Sequence, residues 1–407
     1  MRRAVSEKYL EFKSKIGRAY VRRDKANLLR NVDAAVFDCD GVLIDTKDSY
    51  DKTISRTVAY ILEGFTAYPF PRDLINDEIV FLFKSSGGFN SDWDVCYSIL
   101  MFILCNLPEE YQEIFKRTIK TTSSAKGPLE RFLSVKNNVR KGIVHGKISE
   151  SDVERLIDDL KLFVKKLDES GVGSVDRNLL STLGTSLKYL YKGLKFLLYY
   201  PPEFGKSIIP TVYEEIFCGP NLTKKIYGKE PVFHKELGLI ENERIIIKPE
   251  TFDHLAAIFG KANFGIASGS RFVPAKHVLG DILSRFNPEA MIFLDDIERE
   301  ERILKSIGKI PDEVKQSVLM KPNPFSLLKA AKGLKPSRLC LYIGDSMEDA
   351  LMVKKAKRSG KNFIFVGVYA YSSFKDAALQ SFFKAGADVI LPSVNELPYI
   401  LRKVRGL

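Results

Sequence analysis

Two aspartates, Asp38 and Asp40, stand two residues apart at the end of a short apolar run, and a glycine follows them. The run, Ala34–Phe37, predicts a buried strand. Because side chains alternate along a strand, both aspartates are expected on the same side. Two carboxylates held close together repel each other unless a cation or a shared proton lies between them. The spacing therefore indicates a metal ion at the end of this strand, and the other motifs must show whether one belongs there.

A second polar segment follows the apolar run Phe264–Ala267. Hydroxyl groups and freed backbone amides at a strand-to-helix turn can receive a phosphate oxygen. We therefore predict a phosphate-binding turn here, with substrate contacts from its neighbours. The residues concerned are Ser268, Gly269, Ser270 and Arg271.

Two further segments place charged side chains at element boundaries. Lys321 precedes Pro322 at a rigid, extended entry into a helix. Asp345 ends the apolar run Leu339–Ile343, and Asp349 falls one helical turn later on the same side. Each feature alone is also typical of a surface connector or a helix cap. Their order along the chain carries more weight than any one of them.

The elements that must position these residues alternate between short apolar runs and helical segments from about residue 256 onwards. That alternation predicts an α/β fold, a Rossmann-like parallel sheet with helices on both faces. Ligands of such sheets bind beyond the carboxyl ends of the strands. The candidate strands are Ala34–Phe37, Phe264–Ala267, Ala290–Leu294, Leu339–Ile343, Phe363–Val368 and Val389–Leu391.

The four segments, taken together in this order, closely resemble the motifs of the haloacid dehalogenase (HAD) superfamily of phosphotransferases. That family uses Asp-x-Asp, then Ser or Thr, then Lys, then Gly-Asp-x-x-x-Asp, and all four are intact here. The core resemblance covers residues 31–46 and 256–407. The inserted residues 47–255 resemble the helical cap of the subfamily that includes phosphoglycolate phosphatase and β-phosphoglucomutase.

The resemblance implies a role for each catalytic residue. Asp38 would be the nucleophile that forms an aspartyl-phosphate, and Asp40 the general acid and base. Ser268 would bind a phosphate oxygen, and Lys321 would offset the negative charge. Dehalogenases and phosphonatases of the superfamily lack an aspartate at the position of Asp40, so its presence points to an oxygen ester.

The resemblance also implies Mg²⁺ as the cofactor. Asp38 and Asp345 would bind the ion through carboxylates and Asp40 through its backbone carbonyl. Asp349 would be an alternate ligand, or it would support the direct ligands through hydrogen bonds without contacting the ion.

One stretch of the inserted region is a candidate for substrate recognition. It holds the only tryptophan of the chain and two adjacent glycines that would let the backbone approach a ligand. It also resembles the caps of little-characterised, mainly archaeal and cyanobacterial members of the superfamily. The simpler interpretation is an interhelical turn in which Asp92 caps the next helix. The candidate residues are Lys84, Gly87, Gly88, Asn90, Asp92 and Trp93.

Composition sets the remaining expectations. The 407 residues carry a net charge of +12, and residues 1–30 hold ten Lys or Arg against three Asp or Glu. We interpret residues 1–30 as a basic, partly helical extension, although such an arm can also bind nucleic acid. Residues 150–200 predict a helical hairpin, opened by a capping box at Ser151. Five scattered cysteines suit the cytoplasm, and no apolar stretch is long enough for a membrane span.

The leading hypothesis is a Mg²⁺-dependent phosphatase, a hydrolase of phosphoric monoester bonds, acting on a small phosphorylated metabolite. One alternative is a phosphomutase of the β-phosphoglucomutase kind, which would use the same residues. Another is a non-catalytic binding protein that uses the basic N-terminal arm. We expect no membrane partner and no nucleic acid, while the cap helices could form a subunit contact.

Overall fold

The computed structural model describes residues 7–89, 91–122, 127–142, 148–311 and 317–406. The chain divides into two compact units. The sheet unit comprises Met1–Lys47 and Glu243–Leu407, and the helical unit comprises Asp48–Asn242. The sequence had suggested that the inserted helical region ends at residue 255. The structure instead groups residues 243–255 with the sheet unit.

The sheet unit is an α/β unit with a mostly parallel sheet, as predicted. Among the described residues, eight strands lie in the order β1-β2-β10-β9-β8-β3-β6-β7, and β4 pairs with β5 in a separate ribbon. The run from β10 to β7 is parallel. The strands are β1 Tyr9–Lys13, β2 Arg18–Arg22, β3 Ala34–Phe37, β4 Ile44–Asp45, β5 Arg244–Ile245, β6 Phe264–Ala267, β7 Met291–Ile292, β8 Cys340–Gly344, β9 Phe363–Val368 and β10 Val389–Leu391.

The predicted strands differ from the observed ones mainly at one position. The expected strand Ala290–Leu294 is only β7, because the Phe293 amide donates to Asp296 Oδ2 at 3.0 Å and Leu294 already starts a helix. The side chains of the central strand β3 are buried on both faces of the sheet, so helices must cover both faces. Its alternate residues Ala35 and Phe37 belong to one hydrophobic core, and Ala34 and Val36 to the other.

The N-terminal segment is not the partly helical extension that its charge suggested. Residues 9–22 form the antiparallel hairpin β1–β2, and β2 pairs antiparallel with β10 at the end of the parallel sheet. Ala19 and Val21 are fully buried, and the Tyr9 hydroxyl donates to the Ala387 carbonyl at 2.9 Å. Charged residues interrupt the alternation here, which hides the strand pattern. Charged side chains are a common protection of sheet edges.

The helical unit contains the helices α1 to α9, and some of its boundaries differ from prediction. Helix α6, Glu150–Val164, opens with a capping box that joins Ser149 to Asp152. The sequence had placed the start of this box at Ser151. The second arm of the predicted hairpin is broken at Leu183 and Gly184 into two helices, α7 and α8. The helices are α1 Tyr50–Thr66, α2 Asp77–Ser85, α3 Asp92–Cys105, α4 Glu109–Thr122, α5 Pro128–Gly142, α6 Glu150–Val164, α7 Val172–Thr182, α8 Thr185–Leu198 and α9 Ile208–Tyr227.

The helices of the sheet unit follow its strands, as the alternating pattern predicted. They are α10 Pro249–Phe259, α11 Phe272–Leu279, α12 Leu294–Ser306, α13 Phe325–Gly333, α14 Met347–Arg358, α15 Lys375–Ala385 and α16 Leu397–Arg405. Across the described ranges of the chain, no helix is both long enough and apolar enough to cross a membrane.

The two glycines between α2 and α3 have different structural reasons. Gly87 has a positive φ of 82°, which favours glycine. Gly88 instead packs against the backbone of the turn before α7. A Cβ added at Gly88 would lie 2.4 Å from the Gly171 nitrogen and 2.7 Å from the Asp168 carbonyl oxygen. The close approach that the sequence suggested is therefore made to another part of the same unit.

Replacing Gly88 by alanine should destabilise the protein by about 1–3 kcal/mol, because neither backbone segment can move away cheaply. The matched variant Gly173→Ala lies in helix α7, where the added Cβ meets atoms only at 3.6 Å or more. We expect it to be neutral or to stabilise by up to about 1 kcal/mol through helix propensity. Urea unfolding of both variants checks the pair, and equal stabilities would contradict the backbone contact.

Candidate active site

A buried lysine and two aspartates form the centre of the site. Lys321 Nζ lies 2.7 Å from Asp38 Oδ2 and 2.8 Å from Asp349 Oδ1. The side chains of Lys321 and Asp38 are 10% exposed and that of Asp349 is fully buried. Buried charges are costly unless they are paired and hydrogen-bonded. The ion pairs therefore join the end of β3 and the start of the helix Met347–Arg358 to the segment that carries Lys321.

A tight turn after β3 separates the two aspartates of the first motif. The Asp38 amide continues the strand ladder by donating to the Ile343 carbonyl at 2.8 Å. Gly41 then has a φ of 69°, and its amide donates to the Ile44 carbonyl at 2.8 Å. The turn gives the two carboxylates different partners. Asp38 Oδ2 contacts Lys321, whereas Asp40 Oδ2 accepts a hydrogen bond from Ser270 Oγ at 2.6 Å.

Asp349 is held by donors on both of its oxygens. Besides Lys321, Asp349 Oδ1 accepts from the Tyr342 hydroxyl at 2.9 Å. Asp349 Oδ2 accepts from Ser346 Oγ at 2.7 Å and from the Ser346 amide at 3.1 Å. The reciprocal bond from the Asp349 amide to Ser346 Oγ completes a capping box at the start of α14. These contacts suit a residue that holds Lys321 in place.

Sequence reasoning missed Tyr342, and it noted the segment of Ser346 only as typical of a helix cap. The signal for Ser346 was present, because Ser followed three residues later by Asp before a helix resembles a capping box. Tyr342 could have been noticed as a polar-tipped residue within an apolar run, since a buried tyrosine hydroxyl usually needs a partner. Its hydroxyl also lies 3.2 Å from the Ala267 carbonyl oxygen of β6.

Three carboxylates could together hold a metal ion. Asp38, Asp345 and Asp349 each have an oxygen atom within 4.8 Å of those of the other two. Asp349 accepts from Lys321, Tyr342 and Ser346, whereas Asp38 accepts from Lys321 and from the Cys39 amide at 2.8 Å. An all-oxygen donor set fits a hard cation such as Mg²⁺. Asp345 also packs closely against Gly41, where an added Cβ would lie 2.1 Å from Asp345 Oδ2.

The pKa values of these groups reflect burial and crowded negative charge. Burial, with repulsion from Asp349 and Asp40, raises the pKa of Asp38 to about 7 although Lys321 opposes the shift. Burial and repulsion from Asp349 and Asp38 raise the pKa of Asp345 well above its ordinary value. Burial alone would raise the pKa of Asp349. The Lys321 ammonium and the hydrogen bonds that Asp349 accepts outweigh burial, and they lower this pKa. The site therefore favours a bound cation.

The predicted phosphate-binding turn is linked to Asp40. Ser268 is buried, and its Oγ donates to Ser270 Oγ at 3.1 Å. Arg271 forms ion pairs with two acidic side chains of the helix Leu294–Ser306. Its guanidinium pairs with Asp295 at 3.3 Å and with Glu298 at 2.8 Å. Substrate contact by Gly269, Ser270 and Arg271 stays a prediction.

The segment that carries Lys321 is fixed by hydrogen bonds on both sides. Glu301 of α12 accepts from the Val318 amide at 2.7 Å and from the Leu319 amide at 2.8 Å. On the other side, Asn323 Oδ1 accepts from the Phe325 amide at 2.9 Å, where α13 begins. The rigid entry that the sequence predicted for Lys321 thus has identifiable supports.

In the helical unit, the candidate recognition residues form their own polar cluster. Lys84 Nζ lies 3.4 Å from Asp92 Oδ1 and 3.7 Å from Asp51 Oδ1. Burial raises the pKa of Asp51, although Lys84 opposes the shift. Asp92 Oδ2 accepts from the Tyr213 hydroxyl at 2.7 Å. Asp92 lies in the first turn of α3, whose N-cap is Ser91, so the simpler capping interpretation was wrong.

Trp93 and Asn90 complete the account of that stretch. The Trp93 indole Nε1 donates to Glu214 Oε1 of α9 at 3.0 Å. Trp93 and Asp92 therefore help to pack α3 against α9. Asn90 lies outside the described residues.

Comparisons with known proteins bear on the fold. No protein-family model and no curated protein matches the chain. The chain is similar to the X-ray structure of Northeast Structural Genomics Consortium target ZR25, at 19% identity and a TM-score of 0.63, over 91% of this chain and 99% of that one. It also resembles phosphatase Tt82 from Thermococcus thioreducens at 18% identity and a TM-score of 0.46, over 85% and 98% of the two chains. The first likeness shows a shared fold.

Mg²⁺ should stabilise the protein more at pH 8 than at pH 5.5, because protons compete for Asp38 and Asp345. Without metal, their raised pKa values favour the folded state at low pH, and this contribution is lost as the pH rises through about 7. Thermal unfolding with and without Mg²⁺ measures the effect. Asp345→Asn is the control and should respond weakly at both pH values. An equal Mg²⁺ effect on the native protein at both pH values would contradict the assignment.

Proposed function

We propose that this protein is a Mg²⁺-dependent phosphatase that hydrolyses a small phosphomonoester through an aspartyl-phosphate. The observation that carries the proposal is the buried ion pair of Lys321 with Asp38, beside Asp345 and Asp40. Such a site offers a nucleophilic carboxylate, a fixed positive charge and a separate proton carrier. These are the parts that phosphoryl transfer requires.

In the first half of the reaction, Asp38 attacks phosphorus and the bond to the ester oxygen breaks. Asp40 donates a proton to that oxygen, so the product leaves as a neutral alcohol. Lys321 stabilises the negative charge shared by the Asp38 carboxylate and the phosphoryl oxygens. Ser268 is the candidate hydroxyl for a phosphoryl oxygen. Asp349, through its bond to Lys321, keeps the ammonium beside Asp38.

In the second half, Asp40 is a carboxylate and takes a proton from the attacking water. The new bond from water to phosphorus replaces the bond to Asp38, which regenerates the free enzyme. Asp38 and Asp345 would hold Mg²⁺, which supplies charge neutralisation for the phosphoryl oxygens. The raised pKa values of both carboxyl groups support a cation at this position.

Asp38→Asn should abolish phosphate release, with a loss of at least about 10³-fold, because an amide cannot form the acyl phosphate. The measurement is a phosphate-release screen over a panel of phosphorylated metabolites with Mg²⁺, using Asp38→Asn as the blank. A matched control is Asp253→Asn, which removes an exposed carboxylate paired with Arg285. Full activity of Asp38→Asn would overturn the mechanism. Release of free phosphate also separates a phosphatase from a phosphomutase.

We further propose that the stretch from Lys84 to Trp93 contributes to substrate choice. The supporting observation is the half-exposed Lys84 ammonium between two carboxylates, since such a cluster can exchange a partner for a polar ligand. Its aromatic neighbour Trp93 could bind the organic part of the substrate.

Trp93→Ala should lower kcat/KM for the substrate identified in the screen about tenfold more than kcat/KM for p-nitrophenyl phosphate. The reason is that the small aryl ester would not use a recognition surface built for another organic group. Trp93→Phe is the matched variant, because it keeps a smaller aromatic face and removes the bond to Glu214. Equal losses on both substrates would assign Trp93 to packing alone.

A further inference from the structure

A hydrogen bond joins the second polar segment to the proton carrier of the first. Ser270 Oγ donates to Asp40 Oδ2 at 2.6 Å, although the two residues are 230 positions apart in the sequence. The backbone of Ser270 is also held on both sides. Its amide donates to Ser268 Oγ at 3.1 Å, and its carbonyl accepts from the Leu294 amide at 3.0 Å.

The direction of this hydrogen bond follows from the number of protons available. A serine hydroxyl has one proton to donate and can accept from another donor. Ser270 Oγ accepts from Ser268 Oγ at 3.1 Å and gives its own proton to Asp40. Without substrate, the chain of donors runs from Ser268 through Ser270 to Asp40 Oδ2. A phosphoryl oxygen that takes the Ser268 proton leaves the bond from Ser270 to Asp40 in place. When Asp40 is an acid, its transferable proton is then directed to Oδ1.

We propose that Ser270 is a positioning residue for proton transfer by Asp40. The inference rests on the proposed function, in which Asp40 protonates the ester oxygen. As the bond between phosphorus and that oxygen breaks, the electron pair stays on the oxygen, which receives the proton from Asp40 Oδ1. The carboxylate left behind keeps its bond from Ser270. A hydrogen bond to a charged acceptor is stronger than one to the neutral acid, so Ser270 favours the transfer.

This role differs from a direct contact between Ser270 and the substrate. A residue that binds the phosphoryl group should affect all phosphomonoesters alike. A residue that acts through Asp40 should matter most where the leaving alcohol needs a proton. An alkyl ester has a poor leaving group and depends on the acid, whereas p-nitrophenolate departs with little help.

The test compares kcat/KM for an alkyl phosphate and for p-nitrophenyl phosphate, since this constant covers the steps through departure of the alcohol. Ser270→Ala should lower the value for the alkyl ester by about 10- to 100-fold. The value for p-nitrophenyl phosphate should fall by less than about threefold. Ser270→Thr keeps a hydroxyl and should restore most of the activity on the alkyl ester. Thermal unfolding of each variant checks that it is folded.

A double variant separates the possible results. If Ser270 acts through Asp40, adding Ser270→Ala to Asp40→Asn should cause little further loss. Equal losses on both esters from Ser270→Ala, no loss on either, or a full additional loss in the double variant would each overturn the inference alone. A wild-type protein that releases phosphate from no ester of the metabolite panel would overturn the proposed function, and the inference with it.

Discussion

The Lys321 ammonium lies almost out of contact with solvent, and it stays charged there only because Asp38 and Asp349 are beside it. Removing one partner would leave a buried charge uncompensated, which is strongly destabilising in proteins. The three residues come from separate segments, at the end of β3, before α13 and in the first turn of α14. Electrostatic compensation therefore fixes these segments relative to one another. The reactive geometry and the stability of this edge of the sheet have the same physical origin.

Close packing of carboxylates against glycines is the second constraint. A Cβ at Gly344 would lie 2.5 Å from the carboxyl carbon of Asp349, just as one at Gly41 would meet Asp345. The glycines of the first and last motifs thus leave the space that the acidic side chains occupy. Any side chain there would move a carboxylate away from its partners. The motif glycines therefore permit the placement of the charged groups, in addition to any role they have in the turns.

The sequence allowed prediction of the parallel strands and of the residues at their carboxyl ends, because uninterrupted apolar runs such as Phe363–Val368 mark strands buried on both faces. The hairpin β1–β2 escaped prediction because an edge strand with one wetted face tolerates the charges that obscure its alternation. The contact of Gly88 with Gly171 and the bond from Ser270 to Asp40 were out of reach for another reason. Both join segments that are distant in the sequence, and no local pattern indicates such a pairing.

The short ribbon of β4 and β5 is small, yet it sits where the chain leaves the sheet unit and returns to it. Ile44 faces Ile245 and Asp45 faces Arg244, so the two ends of the long insertion are held side by side. The entropy of closing a loop grows only slowly with its length, and the ribbon makes the excursion compatible with a compact sheet. The chain therefore returns to the sheet unit beside the point at which it left.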